Sequence, residues 1–526
     1  MTKLPKLTKE KIASILFERF NGKFLNLKDL PSPFLFKDMQ KGIKRVVSAI
    51  KNKEKIALIG DYDVDGVVSI SIVREFFREI KYPIEWIIPN RFEDGYGISK
   101  SVIDKLNSPN LIVTFDNGIS AIEAANYCKD IGIDLIITDH HNIPLEVPSA
   151  YAIINQKQDS CNFPFKEICG AQIAWYFIAA LSKELNIKID LKKYLDLLSL
   201  AIIADIMPLK DINRTMVKRG LEIFSNSKRA SIVALKEMIK KESIKVDDIA
   251  YFIAPLINSA GRMDDASIAS NFLLSNDINE ARELLLMLNL YNNSRRDFEE
   301  KIFEKAILNI DESSRVIVVS DSNFHEGVVG IVASRIAQKF KKPTIVLSCD
   351  REICKGSGRS YGECDLFKLV ESQKRFLEKF GGHKSAIGLS IKKENLDLFL
   401  EGLNKKAKDL CDMEYIDPSI LGYLDFREID FELMKILEKF EPYGEGNLKP
   451  KFITTNVEVR DSFLIGNNRH TKYLLSKDRK NLNGLFFRRK EPLKIGERVD
   501  IVYELSLNFF QNQYSIDLIL SDIKRR

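Results

Sequence analysis

Between residues 56 and 154 the chain alternates short apolar runs with helical stretches, and the runs end on acids and glycines. Residues 56–59 stop at Gly60, 111–115 at Asp116-Asn117-Gly118, and 135–138 at Asp139-His140-His141. Runs at 84–88 and 152–154 complete five candidate strands. Helical patterns at 64–79 and 121–129 lie between them. Strands apolar at every position, not every second one, are buried on both faces. Alternating with helices, they make a parallel sheet. In an open sheet of this kind ligands bind at the carboxyl ends of the strands, where these acids stand.

The rest of the chain reads differently. Residues 1–50 are helical with a break at Leu30-Pro31-Ser32-Pro33, and 165–310 are mostly helical. Over 278–310, Leu284, Leu288, Tyr291, Arg295, Phe298, Ile302 and Ala306 recur every three or four residues, which predicts one long connecting helix. A second α/β unit begins at 315–319 and continues through a helix at 328–340 and a strand at 344–347. After Asp417-Pro418 the pattern becomes short strands with turns, such as 499–505 and 515–520. A chain of 526 residues has room for three or four domains at roughly 150 residues each. The reading is three segments: 1–290, 311–415 and 416–526.

Composition narrows the class. Hydrophobic residues at 45% and charged residues at 29% are ordinary globular usage, so a disordered or fibrous chain is excluded. No apolar run approaches the ~20 residues that span a bilayer. The first twenty residues lack the apolar stretch of a signal peptide, and a cytoplasmic location is expected. Seven scattered cysteines without a CxxC predict reduced thiols, with neither a zinc cluster nor a disulfide framework. The formal net charge is +6, and residues 466–526 carry all of that excess, with 13 Lys and Arg against 7 Asp and Glu. That tail mixes bases with aromatics: Phe486-Phe487-Arg488-Arg489-Lys490, Phe509-Phe510, Tyr473 and Tyr514. It reads either as a solvated face or as a polyanion-binding module in which some aromatics stack on bases and others fill a core.

Gly60-Asp61-Tyr62-Asp63-Val64-Asp65-Gly66 places three carboxylates within five residues of a buried strand. With Asp116 and with Asp139-His140-His141 this makes three such sites at one sheet edge. Asp205, after the apolar run 197–204, is a candidate fourth. Clustered carboxylates repel unless a cation holds them. Oxygen ligands with one or two imidazoles suit Mn²⁺, or Mg²⁺ at lower affinity. Two such ions could activate water and stabilise a leaving oxygen, which is phosphodiester hydrolysis without a Ser or Cys nucleophile. Arg91, Arg262, Ser357 and Arg359 sit beside glycines in what read as turns, where guanidinium forks and backbone N–H groups can meet phosphate.

The succession GDYDVDG, FDNG, TDHH and IADIMPL resembles the DHH phosphoesterase superfamily. INSAGRM (257–263), HEGVVGIVASRI (325–336), GSGRS (356–360) and FGGHKSAIG (380–388) are similar to the RecJ family of bacterial single-strand-specific 5′→3′ exonucleases, with Phe324 where a Trp is common. The resemblance covers about residues 50–400. It implies a parallel-sheet DHH catalytic domain, a smaller α/β DHH-associated domain joined by the long helix, and a C-terminal OB-like β-barrel. The implied metal ligands are Asp63, Asp65, Asp116, His140 and Asp205 around two Mn²⁺ (or Mg²⁺) ions, with Asp116 bridging. Asp61 would support the loop, Asp139 would orient the histidine loop, and His141 would serve as a substrate-side or acid group. Arg91, Arg262, Ser357, Arg359 and His383 would hold a 5′-terminal phosphate. The implied activity is release of 5′-mononucleotides from single-stranded DNA in repair and recombination, by a monomer working with single-strand-binding protein and a helicase. Two alternatives stay open: a phosphoesterase of short oligonucleotides or other small phosphate substrates on the same core, and a non-catalytic nucleic-acid-binding relative.

Overall fold

The computed structural model describes residues 4–308, 310–411, 417–487, 489, 492–510 and 513–526, without the side chain of Phe510. Arg488, Lys490 and that side chain, all singled out in the basic tail, therefore lie outside the described residues. The chain divides into two compact units. One comprises Met1–Ile87, Gly97–Ile253 and Asp417–Arg526; the other comprises Ile88–Tyr96 and Ala254–Ile416. This cuts the chain differently from the three segments read in the sequence. The long helix falls in the second unit, and the C-terminal segment groups with the first.

The first unit holds the expected parallel sheet. Strands β1 (Ile56–Ile59), β2 (Glu85–Ile87), β3 (Leu111–Phe115), β4 (Asp134–Thr138) and β5 (Ala152–Ile154) lie in the order β2-β1-β3-β4-β5, every pair parallel. Alternate residues of each strand face opposite sides, and both sides are covered. Ala57, Ile59, Ile112 and Ile137 pack with Ala124, Ala125 and Cys128 of the helix α2 (Ile122–Asp130). The opposite side meets α1 (Val64–Glu79) and α3 (Gly170–Glu184), and α4 (Leu195–Ala204) packs on both of these helices. Each fully buried Ile or Val contributes roughly 1.5–3 kcal/mol. The strand order reverses direction between β1 and β3, so the loops leaving these two strands diverge and open a crevice at their carboxyl ends.

The second unit is built on a mixed sheet. It contains α5 (Ala254–Met263), the long α6 (Ile278–Ile307), β6 (Ile317–Asp321), α7 (Val329–Phe340), β7 (Thr344–Cys349), β8 (Ile353–Arg359), β9 (Leu377–His383), β10 (Ala386–Lys392) and α8 (Leu396–Leu410). The sheet order is β6-β7-β8-β10-β9; β6 and β7 are parallel and the other pairs antiparallel. Here the sequence reading needs correction. GSGRS and GGH are strands, not glycine-rich turns, and Arg262 lies in the last turn of α5. Gly356 and Gly358 are there because neighbours approach closely. A Cβ on Gly356 would lie 2.0 Å from the Val346 carbonyl oxygen, and one on Gly358 would lie 2.8 Å from Ile387.

The cysteine expectation also fails in this unit. Cys349 is bonded to Cys354 across the β7–β8 hairpin, and Cys364 to Cys411 at the end of α8. Cys128, Cys161 and Cys169 are free and buried. Spacing could not show the second pair, because its partners meet only through the packing of α8.

Residues 417–526 form β11 (Ile420–Tyr423), β12 (Lys451–Ile465), β13 (His470–Lys477), β14 (Lys480–Phe486), β15 (Arg498–Phe510) and β16 (Gln513–Arg525). Pairing of β12 with β15 closes β12-β13-β14-β16-β15 into a five-stranded barrel, with β11 added beside β12. Three strands run 13 to 15 residues, longer than the short strands the sequence suggested. Register shifts interrupt β12 and the β15–β16 pair, which breaks the alternation a sequence reader follows. The N-terminal segment joins this barrel. Leu7 N–H donates to the Tyr423 carbonyl, Tyr423 N–H donates to that of Pro5, and Ile12, Leu16 and Phe20 enter the core around Tyr473 and Tyr503. No helix among the described residues is long and apolar enough to cross a membrane.

Candidate metal centre

The crevice at the ends of β1, β3 and β4 gathers the acids. Asp63 caps α1: its Oδ1 accepts the backbone N–H groups of Asp65 and Gly66 at 2.9 and 3.2 Å. Gly66 must be glycine, because a Cβ there would lie 2.5 Å from the backbone of Asp61. Asp65, on the first turn of α1, accepts the Gly170 and Ala171 N–H groups at 2.5 and 2.8 Å, so the N-terminus of α3 fixes it. Asp116 follows β3 with φ 65°, the left-handed region that Asp tolerates better than most residues. A Cβ on Gly170 would stand 2.6 Å from its Oδ1. Asn117 holds the turn, donating to the carbonyls of Ile59 and Phe115 and accepting the Ile98 N–H.

His140 stands among these acids. Its Nε2 lies 3.2 Å from Asp116 Oδ1, 3.6 Å from Asp205 Oδ2 and 3.7 Å from Asp65 Oδ2. Asp205 arrives from the C-terminal end of α4. Three overlapping groups have ligand atoms within 4.8 Å of one another: Asp61, Asp63 and Asp116; Asp65, His140 and Asp205; Asp116, His140 and His141. His141 is held separately. Asp139 Oδ1 lies 2.7 Å from His141 Nδ1 and accepts the His141 backbone N–H, while Asp139 Oδ2 accepts the Ile119 N–H.

The electrostatics divide these groups into two sets. Burial, then the neighbouring carboxylates, pushes Asp61, Asp63, Asp116 and Asp205 above the ordinary carboxylate range. Burial holds His140 below the usual imidazole value. Burial also opposes charge on His141, but the Asp139 hydrogen bond and the surrounding acids outweigh it and raise it to about 9. Asp139 is correspondingly lowered: the His141 contacts overcome its burial. Asp196, which burial also raises, differs in its partners. It is equally buried, yet Arg229 and Ser227 meet its Oδ2 at 3.3 and 3.1 Å. Asp61 Oδ1 and Asp205 Oδ2 are buried with no hydrogen-bond partner. Unpartnered buried carboxylate oxygens beside a neutral imidazole fit a divalent cation, and the oxygen-rich donor set fits Mn²⁺ or Mg²⁺.

The five phosphate-site candidates all fall in the second unit. Arg91 and Ser357 line one cavity of about 420 Å³, together with Lys355, Lys379, Gly381 and Gly388. Arg359 is two residues along β8 from Ser357; its Nη1 donates to the Gly358 carbonyl at 2.8 Å. A Cβ on Gly330 of α7 would be 3.1 Å from Arg359 Nη2 and 3.4 Å from Ser357 Oγ, so the helix passes directly over both. His383 and Arg359 are both registered opposite Ala386, which puts the three in one row across β9, β10 and β8. Arg262 donates to the Gly327 carbonyl at 3.2 Å, near this helix start. Arg359, His383 and Arg262 do not line the cavity.

Sequence reasoning missed several supports. Gly170 and Ala171 hold Asp65, and the signal was the start of a long apolar helix with no acid of its own. Asn155 fixes the histidine loop, donating to the His141 carbonyl at 2.9 Å, and nothing local announced it. Among the tail aromatics, Tyr473 is barrel core, whereas Phe487, Phe509 and Tyr514 are exposed.

Comparison with known proteins agrees along the chain. Residues 55–202 match the DHH family N-terminal domain, 313–409 the DHHA1 domain and 422–522 the RecJ OB domain. The chain is 33% identical to the single-stranded-DNA-specific exonuclease RecJ of Bacillus subtilis (strain 168) over 95% of its own length, and spans 65% of that protein. It is 31% identical to the protein of that name from Haemophilus influenzae, covering 95% of this chain and 92% of the other. A crystal structure of RecJ from Thermus thermophilus with Mn²⁺ superposes with a TM-score of 0.86 at 24% identity, covering all of this chain and 80% of that one. A crystal structure of exonuclease RecJ bound to manganese gives a TM-score of 0.62 at 29% identity, covering 72% of this chain and 96% of that one. The chain belongs to the RecJ family of the DHH superfamily.

Proposed function

We propose that this chain is a single-stranded-DNA-specific exonuclease that releases 5′-mononucleotides in the 5′→3′ direction, acting in DNA repair and recombination. The observation that carries the reading is the cluster of carboxylates around His140 at the ends of β1 and β3, in which Asp61 Oδ1 and Asp205 Oδ2 are buried with no hydrogen-bond partner. Asp63, Asp65, Asp116, His140 and Asp205 would hold two divalent ions, with Asp116 shared between them. Bound there, the ions supply water activation and charge stabilisation for in-line displacement at phosphorus. Asp61 adds negative charge behind the loop. Asp139 fixes the His141 ring through Nδ1, which leaves Nε2 to give a proton to the departing oxygen. The Asp139 hydrogen bond raises His141, which favours the protonated ring that an acid needs before the step.

Arg91, Arg262, Ser357, Arg359 and His383 would bind the 5′-terminal phosphate, which carries about −1.5 to −2 charges against one for an internal diester. Burial lowers Arg359 from its ordinary value, so a desolvated guanidinium waits for an anion. The barrel would attract the strand through its bases and exposed aromatics. Single-strand-binding protein and a helicase are the proposed cellular partners, in the cytoplasm.

The test is a time course with Mn²⁺ on single strands labelled at either end, on duplex, and on dinucleotides. The reading expects labelled mononucleotide first from the 5′ end of single strands. Release from the 3′ end, equal cutting of duplex, or turnover of dinucleotides alone would reject it.

A further inference from the structure

The turn carrying Asp205 contains a residue that stability alone does not explain. Helix α4 ends in a Schellman motif. Ile206 N–H donates to the Ile203 carbonyl at 3.2 Å, and Met207 N–H donates to that of Ile202 at 3.1 Å. The residue at the left-handed position of this motif is usually glycine, because a side chain there is crowded by its own backbone. Here it is Ile206, with φ 56°. A β-branched residue at positive φ is a true outlier, and its cost must be recovered elsewhere.

Burial does not recover it, since Ile206 is 67% exposed. The neighbouring cluster makes this exposure informative. Asp61, Asp65, Asp116 and His140 are buried, whereas the Asp205 side chain is 26% exposed and that of His141 49%. The cluster therefore opens to solvent on the side of Asp205 and His141, and Ile206 directly follows Asp205. An isoleucine cannot hydrogen-bond and offers nothing to a phosphate. It can lie against an apolar ring face, which every nucleobase has.

We propose that Ile206 is a substrate-contacting residue that packs against the face of the nucleobase whose phosphate occupies the acid cluster, without regard to base identity. This rests on the reading of the chain as a single-strand nuclease. The left-handed backbone turns the side chain out of the helix cap, and the strain it costs is offset only when a strand is bound.

The test compares wild type with Ile206→Gly, which suits the backbone and removes the side chain. Metal-free Ile206→Gly should melt at a temperature higher by about one to a few degrees. KM on single-stranded DNA should rise by about fivefold to tenfold. On strands abasic at both of the first two nucleotides, which flank the scissile phosphate, wild type and variant should show the same KM. Both should hydrolyse bis(p-nitrophenyl) phosphate, which has no base, at one rate. A lower melting temperature would overturn the backbone argument. An unchanged KM on normal strands, or an equal rise on abasic ones, would overturn the base contact. Wild type that cuts the small diester but no DNA would reject the nuclease reading itself.

Discussion

The acid cluster and the basic pocket are assembled from opposite kinds of structure. The acids gather at the carboxyl ends of buried parallel strands, joined by Asp205 from the end of α4, and backbone donors fix two of them: Asp63 by the start of α1, and Asp65 by the start of α3. The phosphate-site candidates Ser357 and Arg359 stand on a strand itself, on a sheet face where Gly381 and Gly388 leave the floor bare. One region concentrates like charges that are costly in the absence of a cation. The other spreads its donors along a strand face, with Arg359 partly desolvated. The cluster should therefore tolerate almost no change, and the pocket should degrade by steps.

Asp116→Ala should mark the first extreme. It removes the carboxylate common to two of the three ligand groups, and turnover should fall by about 10³-fold or more while the far-ultraviolet circular dichroism stays that of wild type. Substantial residual turnover with metal in excess would break the contrast between the regions.

Arg359→Ala should cost less. A charge-assisted hydrogen bond contributes roughly 1.5–3 kcal/mol, so kcat/KM on 5′-phosphorylated strands should drop about tenfold to a hundredfold. The preference over 5′-hydroxyl ends should shrink with it, and Mn²⁺ affinity should hold. An unchanged preference would mean that this face does not read the end.

On the barrel, Phe509→Ala and Tyr514→Ala should each weaken binding of long strands by about fivefold, measured by fluorescence anisotropy. Tyr473→Ala should instead lower stability, since that ring is core. Deleting the barrel outright is a poor test, because residues 5–20 share its core.

The smallest effect is thermal and depends on pH. Carboxyls raised in the folded protein contribute stability that is present below their unfolded pKa and lost as pH rises through the folded value. Metal-free protein is therefore penalised toward neutral pH, where a bound ion relieves the repulsion. The rise in Tm on adding Mn²⁺ should grow from acid to neutral pH, by a few degrees, and Asp205→Asn should reduce it. A metal-induced rise independent of pH would show that these acids are not what the ion meets.

The two regions also differed in how legible they were. The parallel sheet could be read because burial on both faces writes an unbroken apolar run such as Ile56–Ile59, and acids at the run's end point to a crevice. β8 and β9 could not, since Gly356, Gly358, Gly381 and Gly382 hide a strand from any propensity rule. The hold of Gly170 on Asp65 spans 105 residues, and the pairing of Pro5–Leu7 with Tyr423 spans most of the chain. Neither leaves a local trace. The Cys364–Cys411 bond is of the same kind.

The central claim is that these acids and His140 hold two ions. Calorimetric titration of the metal-free protein with Mn²⁺ tests it most directly. The account predicts two ions per chain for wild type and fewer for Asp116→Asn, with the fold retained. One ion or none in wild type, or an Asp116→Asn protein that still binds two with wild-type affinity, would contradict it.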